Sequence, residues 1–247
     1  ESDDLQAQSD TWQSATSLEV AGLDSKTTYY FKVGAFDGTN FIYSEVRKFT
    51  VGVNTPIWQY TTSGSNTYAT ASAISADGNF SVVGFKDGDV RFYNKTSSTP
   101  LWTYTADNSL TSVSISADGN YIVIGSEDDK VYLFDKDSST PLWSYGTSEN
   151  VDSVSISADG EYIVMGGQNN KVYLFSKDSS TPLWTYSTNG NVKSISISVD
   201  SEYIAAGSWD DKVYLFDKDS STPLWSYTTG DDVLSVAISA DGEYVVA

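Results

Sequence analysis

Apolar and polar residues follow one repeating order along residues 54–247. Within Ser112–Ser116, valine and isoleucine occupy every second position, which is typical of a strand with one buried face. The run Tyr121–Gly125 is continuously apolar, as expected of a strand that is covered on both faces. Two further apolar runs, Val131–Phe134 and Leu142–Tyr145, complete a unit of four predicted strands.

Turn-forming residues separate the strands of each unit. They form an Ala-Asp-Gly hairpin turn at 117–119, a polar loop at 127–129 and an Asp-Ser-Ser-Thr-Pro corner at 137–141. The stretch that begins with KVYLF at 130 begins again at 171 and 212, so the period is 41 residues. A period of this length built only of strands is typical of a β-propeller blade. No amphipathic helical pattern is present, and the sequence predicts an all-β fold.

One tryptophan recurs on the outermost predicted strand of each unit. A four-stranded blade cannot bury both of its faces alone, so neighbouring blades are expected to stack around an axis. We interpret these tryptophans as contacts between blades, because one such ring buries about 200 Å². They are Trp102, Trp143, Trp184 and Trp225. The count gives an outer strand at Thr55–Tyr60, four full blades and half of a fifth at Ser235–Ala247, an incomplete ring.

The repeats resemble two families of β-propeller. The order of strands and turns in SVSISADGEYIVMGG and KVYLF resembles the WD repeat. Phe134-Asp135 stands in place of the family's Trp-Asp pair, and its Gly-His pair is missing. The stretch VYLFDKDSSTPLWSY equally resembles the Trp-bearing repeats of quinoprotein-like propellers. Both resemblances cover residues 54–247 and imply four-stranded blades.

Residues 1–53 lack the 41-residue repeat and resemble a different family. Their pattern matches the Leu-x-x-x-Thr-x-Tyr-x-x-x-Val-x-Ala run of fibronectin type III domains, and it places Tyr29 at the position of the tyrosine corner. A whole domain of that type takes about 100 residues, so the resemblance implies only the second half of such a β-sandwich. The matching positions are Leu23, Thr27, Tyr29, Val33 and Ala35.

Charge and composition narrow the range of functions. The chain has 33 acidic and 14 basic residues and a formal net charge of -19, so we do not expect it to bind nucleic acid or an anionic membrane. It contains neither cysteine nor histidine, which removes disulfides, thiolate chemistry and the commonest general base. We therefore expect no metal or other cofactor and no catalysis. No apolar run could span a bilayer, and the first residues are not a signal peptide, so we expect any targeting segment to lie outside this chain.

Two sets of loops differ between the repeats, whereas the other loops barely change. In a WD-type blade, the loop between the second and third strands and the loop into the next blade share one face. We therefore predict a binding rim there, although neutral drift in exposed turns would give the same pattern. Trp209 stands out because exposed tryptophan is favoured in recognition surfaces. The candidates are Phe85, Glu127, Asp128, Asp129, Gln168, Asn169, Trp209, Asp210, Asp211, Asp231 and Asp232.

The combined pattern predicts a non-enzymatic extracellular or cell-surface module that binds a protein or a glycan, with possible self-association through its unfinished ends. The alternatives are a structural subunit of a fibre or sheath and a section of a quinone-dependent dehydrogenase. Asp135, Asp137 and Ser139 have the spacing of a calcium loop but lack its glycine and distal glutamate, which favours a solvated turn. Asn79-Phe-Ser and Asn94-Lys-Thr are N-glycosylation sequons, a weak signal in sequence alone.

Overall fold

The regular structure of the described residues consists of β-strands. A computed structural model describes residues 28–31, 34–36, 41–43, 47–50, 59 and 68–247. Contacts divide the chain into two units, Glu1–Pro56 and Ile57–Ala247. Within the described ranges there is no helix that could cross a membrane. The predicted all-β class is confirmed.

The described residues of the first unit form four short strands. Strand β1 (Thr28–Phe31) pairs antiparallel with β4 (Arg47–Thr50). Strand β2 (Gly34–Phe36) pairs in the same sense with β3 (Phe41–Tyr43). Antiparallel pairing of this kind fits a β-sandwich, but the fibronectin type III resemblance and the domain 1–53 stay predictions.

Four antiparallel sheets follow in the second unit, and each is built from four consecutive strands in chain order. The first has β5 (Ala69–Ile74), β6 (Phe80–Phe85), β7 (Asp89–Asn94) and β8 (Trp102–Thr105). The second has β9 (Leu110–Ile115), β10 (Tyr121–Ser126), β11 (Lys130–Asp135) and β12 (Trp143–Gly146). The third has β13 (Val151–Ile156), β14 (Tyr162–Gly167), β15 (Lys171–Ser176) and β16 (Trp184–Ser187). The fourth has β17 (Val192–Ile197), β18 (Tyr203–Ser208), β19 (Lys212–Asp217) and β20 (Trp225–Thr228).

A last pair of strands completes the described structure. Strands β21 (Ala237–Ile238) and β22 (Val245–Val246) pair antiparallel, as predicted for the first half of a fifth blade. The predicted outer strand Thr55–Tyr60 lies outside the described residues, apart from Gln59.

The hairpin turn between the first two strands explains why every repeat except the one at 198–201 reads Ser-Ala-Asp-Gly there. The Ser116 hydroxyl donates to Asp118 Oδ1 over 2.6 Å and accepts from the Tyr121 N–H over 3.0 Å. Gly119 has a φ of +75°, a left-handed conformation that glycine adopts without strain. The turn therefore closes the hairpin and fixes its register.

Neighbouring sheets pack through their first strands. Strands β5, β9, β13 and β17 lie side by side in succession, which places them innermost, as in a propeller. Strands β13 and β17 each use one edge to pair within their own sheet, and serines of the preceding sheet bind the other edge. The Val154 N–H donates to Ser112 Oγ over 3.1 Å, and the Ile156 N–H donates to Ser114 Oγ over 3.3 Å. The alternating serines thus satisfy backbone groups that would otherwise be unpaired.

The repeated tryptophans join successive sheets, as predicted. The Trp143 ring lies 5.4 Å from the Phe175 ring of the next sheet, and its Nε1 donates to the Lys177 carbonyl over 2.7 Å. Trp102 and Trp184 make the equivalent two contacts with the sheets that follow them. Trp143 and its equivalents pack against the third strand of the next sheet. After Trp225 the described residues form only the first two strands of a next sheet, and the Trp225 side chain is 41% exposed. The incomplete propeller predicted from the repeats is confirmed.

Candidate binding face

The two divergent loop sets meet on one face of the second unit. Within the second sheet, the Thr147 N–H donates to the Asp129 carbonyl over 2.7 Å and joins the loop after the fourth strand to the loop between the second and third. Between sheets, the Trp209 N–H donates to the Asn191 carbonyl over 2.9 Å. We call this surface the variable face. It comprises residues 86–88, 106–108, 127–129, 148–150, 168–170, 189–191, 209–211 and 230–232.

The backbone of these loops is constant although their side chains differ. One residue of each loop between the second and third strands has a positive φ, of 60° to 90°. Asparagine, aspartate and glycine tolerate this left-handed conformation best, which restricts what each repeat can carry there. The four residues are Gly88, Asp129, Asn170 and Asp211. The loops of the variable face thus share a backbone conformation, whereas their side chains differ from repeat to repeat.

Asp128 and Asp210, both candidates for the rim, brace the loops. Tyr132 Oη donates to Asp128 Oδ2 over 2.6 Å, and Tyr214 Oη donates to Asp210 Oδ2 over the same distance. Burial, and then the hydrogen bond to the carboxylate, raises the pKa of each tyrosine well above its usual range. In the third sheet, the bond is reversed, since Asn169 Nδ2 donates to a tyrosine hydroxyl over 2.9 Å. These side chains hold the loops in place.

Phe85 lies beneath the surface of the rim. Its side chain is only 3% exposed, and the Arg91 guanidinium lies 4.4 Å above its ring. Arg91 occupies the position at which the other complete sheets carry Tyr132, Tyr173 and Tyr214. Since the ring is covered, the structure does not support Phe85 as an accessible contact.

Trp209 is the exposed aromatic side chain of the variable face. It is 42% exposed, and the Lys193 Nζ lies 4.7 Å from the centroid of its ring. Lys193 also pairs with Asp152 over 2.7 Å, and Asp152 accepts from Gln168 Nε2 over 3.2 Å. Polar contacts therefore link Gln168 and Asp152 of the third sheet to Lys193 of the fourth, and Lys193 lies against the Trp209 ring. A similar link between sheets joins Lys86 to Glu127 over 3.3 Å.

The sequence analysis did not single out Asp152 or Lys193, although a signal was present. Both are the second residue of the first strand in their sheets. The matching residue is threonine in the first two units and changes to aspartate, lysine and leucine in the next three, whereas its neighbours are nearly constant. The residues at this position are Thr70, Thr111, Asp152, Lys193 and Leu234. A repeat position that varies in charge between near-identical copies indicates a local role.

Three carboxylates lie together at the end of the variable face near Trp209. One carboxylate oxygen from each of Asp211, Asp231 and Asp232 lies within 4.8 Å of the other two. None of the ion pairs found among residues 68–247 involves these three. This end of the face therefore carries three carboxylates that have no ion-pair partner within 4.0 Å among residues 68–247.

The predicted solvated turn at 135–139 has its carboxylates engaged locally. Asp135 Oδ1 accepts from the Asp137 N–H over 2.9 Å, which starts the turn. Asp137 in turn pairs with Lys136 over 2.8 Å. Both side chains therefore have turn-forming partners, and the absence of a metal there stays a prediction.

These features define an incomplete β-propeller of quinoprotein-like repeats with one divergent loop face. A family model of PQQ-type repeats, described as outer membrane protein assembly factor BamB, matches residues 86–247. The match covers about two thirds of the chain, so the chain belongs to this family. The predicted quinoprotein-like repeats are thereby confirmed. A search of curated proteins finds no match.

Proposed function

We propose that this chain is a non-catalytic binding module of an exported or cell-surface protein, and that its variable face binds a protein partner around Trp209. The observation that carries the proposal is the exposed Trp209 ring, held by Lys193 on an otherwise repetitive scaffold. Large rings fixed before binding contribute much contact area at little entropic cost, and tryptophan is enriched among energetically dominant interface residues.

The charge of the variable face favours a partner with basic side chains. Asp211, Asp231 and Asp232 lie at the end of the face that carries Trp209. A lysine or arginine of a partner would pair with these carboxylates, and arginine would also stack on the indole ring. The description of the matching family as an assembly factor supports a protein partner over a glycan. Our reasons for proposing a location outside the cell are the acidic, cysteine-free composition together with the fibronectin type III resemblance of residues 1–53.

The repetition supports a role without catalysis. An active site needs a set of side chains that differs from its counterparts in other blades, whereas these blades are near copies. Polar side chains of the rim, such as Asp128 and Asp210, accept hydrogen bonds from tyrosines of the strands that follow their loops. The quinone-dependent dehydrogenase alternative predicts turnover of an alcohol or sugar by purified protein with added quinone and calcium. Reproducible turnover lost through one loop substitution would overturn our proposal.

Two tryptophans with equal exposure provide a matched test. Trp209 is 42% exposed on the variable face, and Trp225 is 41% exposed on the outer strand β20. Synthetic peptides rich in arginine and lysine, and neutral oligosaccharides as a second panel, would be titrated calorimetrically. We expect the basic peptides to bind, Trp209→Ala to weaken binding about tenfold or more, and Trp225→Ala to leave it unchanged. Binding of the oligosaccharides alone, or equal effects of both substitutions, would contradict a basic protein partner.

Self-association is a second candidate function, because the last described strands expose an apolar surface. Tyr227, Leu234, Tyr244 and Val246 are each more than 60% exposed. Exposed apolar side chains in this number offer a surface on which a second copy would pack. Sedimentation velocity over a range of concentrations would test it. Association abolished by Tyr227→Glu but retained in Trp209→Ala would support an assembly subunit, whereas a monomer at all concentrations would exclude it.

A further inference from the structure

The first sheet differs from the other three at the turn after its third strand. Residues 94–96 read Asn-Lys-Thr, whereas the matching positions read Asp-Lys-Asp at 135–137 and 217–219 and Ser-Lys-Asp at 176–178. The two changed positions together create an acceptor sequence for N-glycosylation. A second sequon, Asn79-Phe80-Ser81, lies in the same sheet.

The Asn94 sequon lies in an accessible turn. Thr96 Oγ1 donates to Asn94 Oδ1 over 2.8 Å, and the Thr96 N–H donates to the same oxygen over 3.0 Å. Lys95 and Thr96 are exposed, and Asn94 is half-buried at the end of β7. Within residues 68–247, Asn94 Nδ2 donates no hydrogen bond. The hydroxyl of the sequon is therefore held beside an asparagine whose amide nitrogen is not engaged.

The Asn79 sequon, by contrast, has its side chains and backbone engaged in the hairpin turn and the sheet. Asn79 Nδ2 donates to Asp77, so the nitrogen is engaged within the hairpin turn. Phe80 stacks on Phe92 with a centroid distance of 5.4 Å, and Ser81 belongs to β6, where strands on both sides pair with it. A transferase could reach this sequon only by opening the sheet. The two sites adjoin each other, since the Lys95 N–H donates to the Asn79 carbonyl over 2.8 Å.

We propose that Asn94 carries an N-linked oligosaccharide and that Asn79 does not. Asn94 Nδ2 attacks C1 of the first sugar of a lipid-pyrophosphate-linked oligosaccharide, the N–C1 bond forms and the C1–O bond to pyrophosphate breaks. The lipid pyrophosphate leaves, Nδ2 loses one proton to a base of the transferase, and nothing is oxidised or reduced. The glycan lies at the opposite end of the β6–β7 hairpin from loop 86–88, so it leaves the variable face free.

The test is the mass of the protein purified from its own cells, followed by mass spectrometry of its peptides. We expect one oligosaccharide on the peptide that contains Asn94. Asn94→Asp and Thr96→Asp, which restore residues of the second sheet, should both remove this mass. Asn79→Glu, which introduces the residue found at 161, should retain it. A glycan on Asn79, or loss of the glycan in Asn79→Glu alone, would overturn the proposal.

The glycan proposal rests on the export proposed above, and a parallel measurement separates the two. Intact cells would be labelled with a membrane-impermeant amine reagent before purification. Labelled protein with an unmodified Asn94 would overturn the glycan proposal alone. Unlabelled, unmodified protein would overturn export and the glycan with it.

Discussion

The Lys193 ammonium lies between the Trp209 ring, at 4.7 Å from its centroid, and the Asp152 carboxylate, at 2.7 Å. The Asp152 side chain is only 10% exposed, so little water reaches its carboxylate and Lys193 supplies the counter-charge. One lysine thus neutralises a nearly buried carboxylate of the third sheet and fixes an aromatic ring of the fourth. The same contact stabilises the boundary between sheets and positions Trp209.

We expect Lys193→Met to lower the free energy of unfolding by about 1–3 kcal/mol, because it leaves Asp152 with a single hydrogen-bond donor in a nearly buried site. Chemical denaturation would measure the loss. The double variant with Asp152→Asn should recover part of it, since no buried charge then lacks a counter-ion.

Lys136→Met is the matched control for this prediction. Lys136 pairs with Asp137 over 2.8 Å, but the Asp137 side chain is 78% exposed. An exposed pair of this kind contributes about 0–1 kcal/mol. Equal losses in the two variants would show that the burial of Asp152 has no energetic consequence.

The strands and their order could be predicted from sequence because the signal is periodic. Alternation in Ser112–Ser116 and the apolar run Tyr121–Gly125 mark strands whose ends the structure places within two residues of the predicted ones. The placement of the divergent loops on one face was predicted from the loop arrangement of the WD-type blade that the repeats resemble. The repeat therefore contains most of the information about the fold of residues 68–247.

The chemistry of the variable face was less predictable because it depends on contacts between side chains. In the sequence, nothing distinguishes Asp128 from an exposed acidic residue. In the structure, the hydroxyl of Tyr132, four positions later, donates a hydrogen bond to its carboxylate. Phe85 lies under Arg91, which a list of loop residues does not reveal. Lys193 and Asp152 are 41 positions apart, so their pairing emerges only once successive sheets are packed together.

Stability is expected to fall below about pH 4, because several turn aspartates have lowered pKa values. Burial alone would raise the pKa of Asp118 and Asp159, but bonds from the Ser116 and Ser157 hydroxyls and from backbone N–H groups lower it overall. A carboxyl group whose pKa is lower in the folded than in the unfolded state stabilises the fold above the unfolded pKa. That contribution is lost as the pH falls through the folded pKa.

Urea unfolding between about pH 7 and 2 would measure this dependence. The double variant Asp118→Asn/Asp159→Asn should be less stable at neutral pH and should lose less stability on acidification. Ser138→Ala, which removes a turn hydroxyl that has a backbone partner and no carboxylate, should keep the wild-type slope. An unchanged slope in the aspartate double variant would exclude these turns as the acid-sensitive groups.

Ser201 is a strained exception among the hairpin turns, and Ser201→Gly is expected to stabilise the protein. Its φ is +67°, whereas the matching residues Gly119, Gly160 and Gly242 have nearly the same angle at no steric cost. We expect a gain of about 0.5–1 kcal/mol, since the Ser201 hydroxyl makes only a 3.4 Å contact with Asp159. Thermal unfolding would measure it.

The reciprocal change Gly160→Ser provides the control. A Cβ at Gly160 would lie 2.6 Å from Tyr121 Cδ2, so this substitution should destabilise the fold. If Ser201→Gly lowered the melting temperature, the positive φ would not be a source of strain.

Trp143→Ala is expected to destabilise the propeller far more than Trp225→Ala, although both residues occupy the same repeat position. Trp143 packs 5.4 Å from the Phe175 ring and donates to the Lys177 carbonyl, and its loss leaves that space empty. We expect a cost of about 2–4 kcal/mol for Trp143→Ala and under about 1 kcal/mol for the half-exposed Trp225. Denaturant midpoints, with intrinsic fluorescence and circular dichroism followed together, would measure the difference.

Because each sheet touches only its neighbours, loss of the Trp143 contact should also make the fluorescence and circular dichroism transitions occur at different denaturant concentrations, as the sheets unfold in parts. Equal midpoints in the two variants would show that the tryptophan contact does not hold successive sheets together.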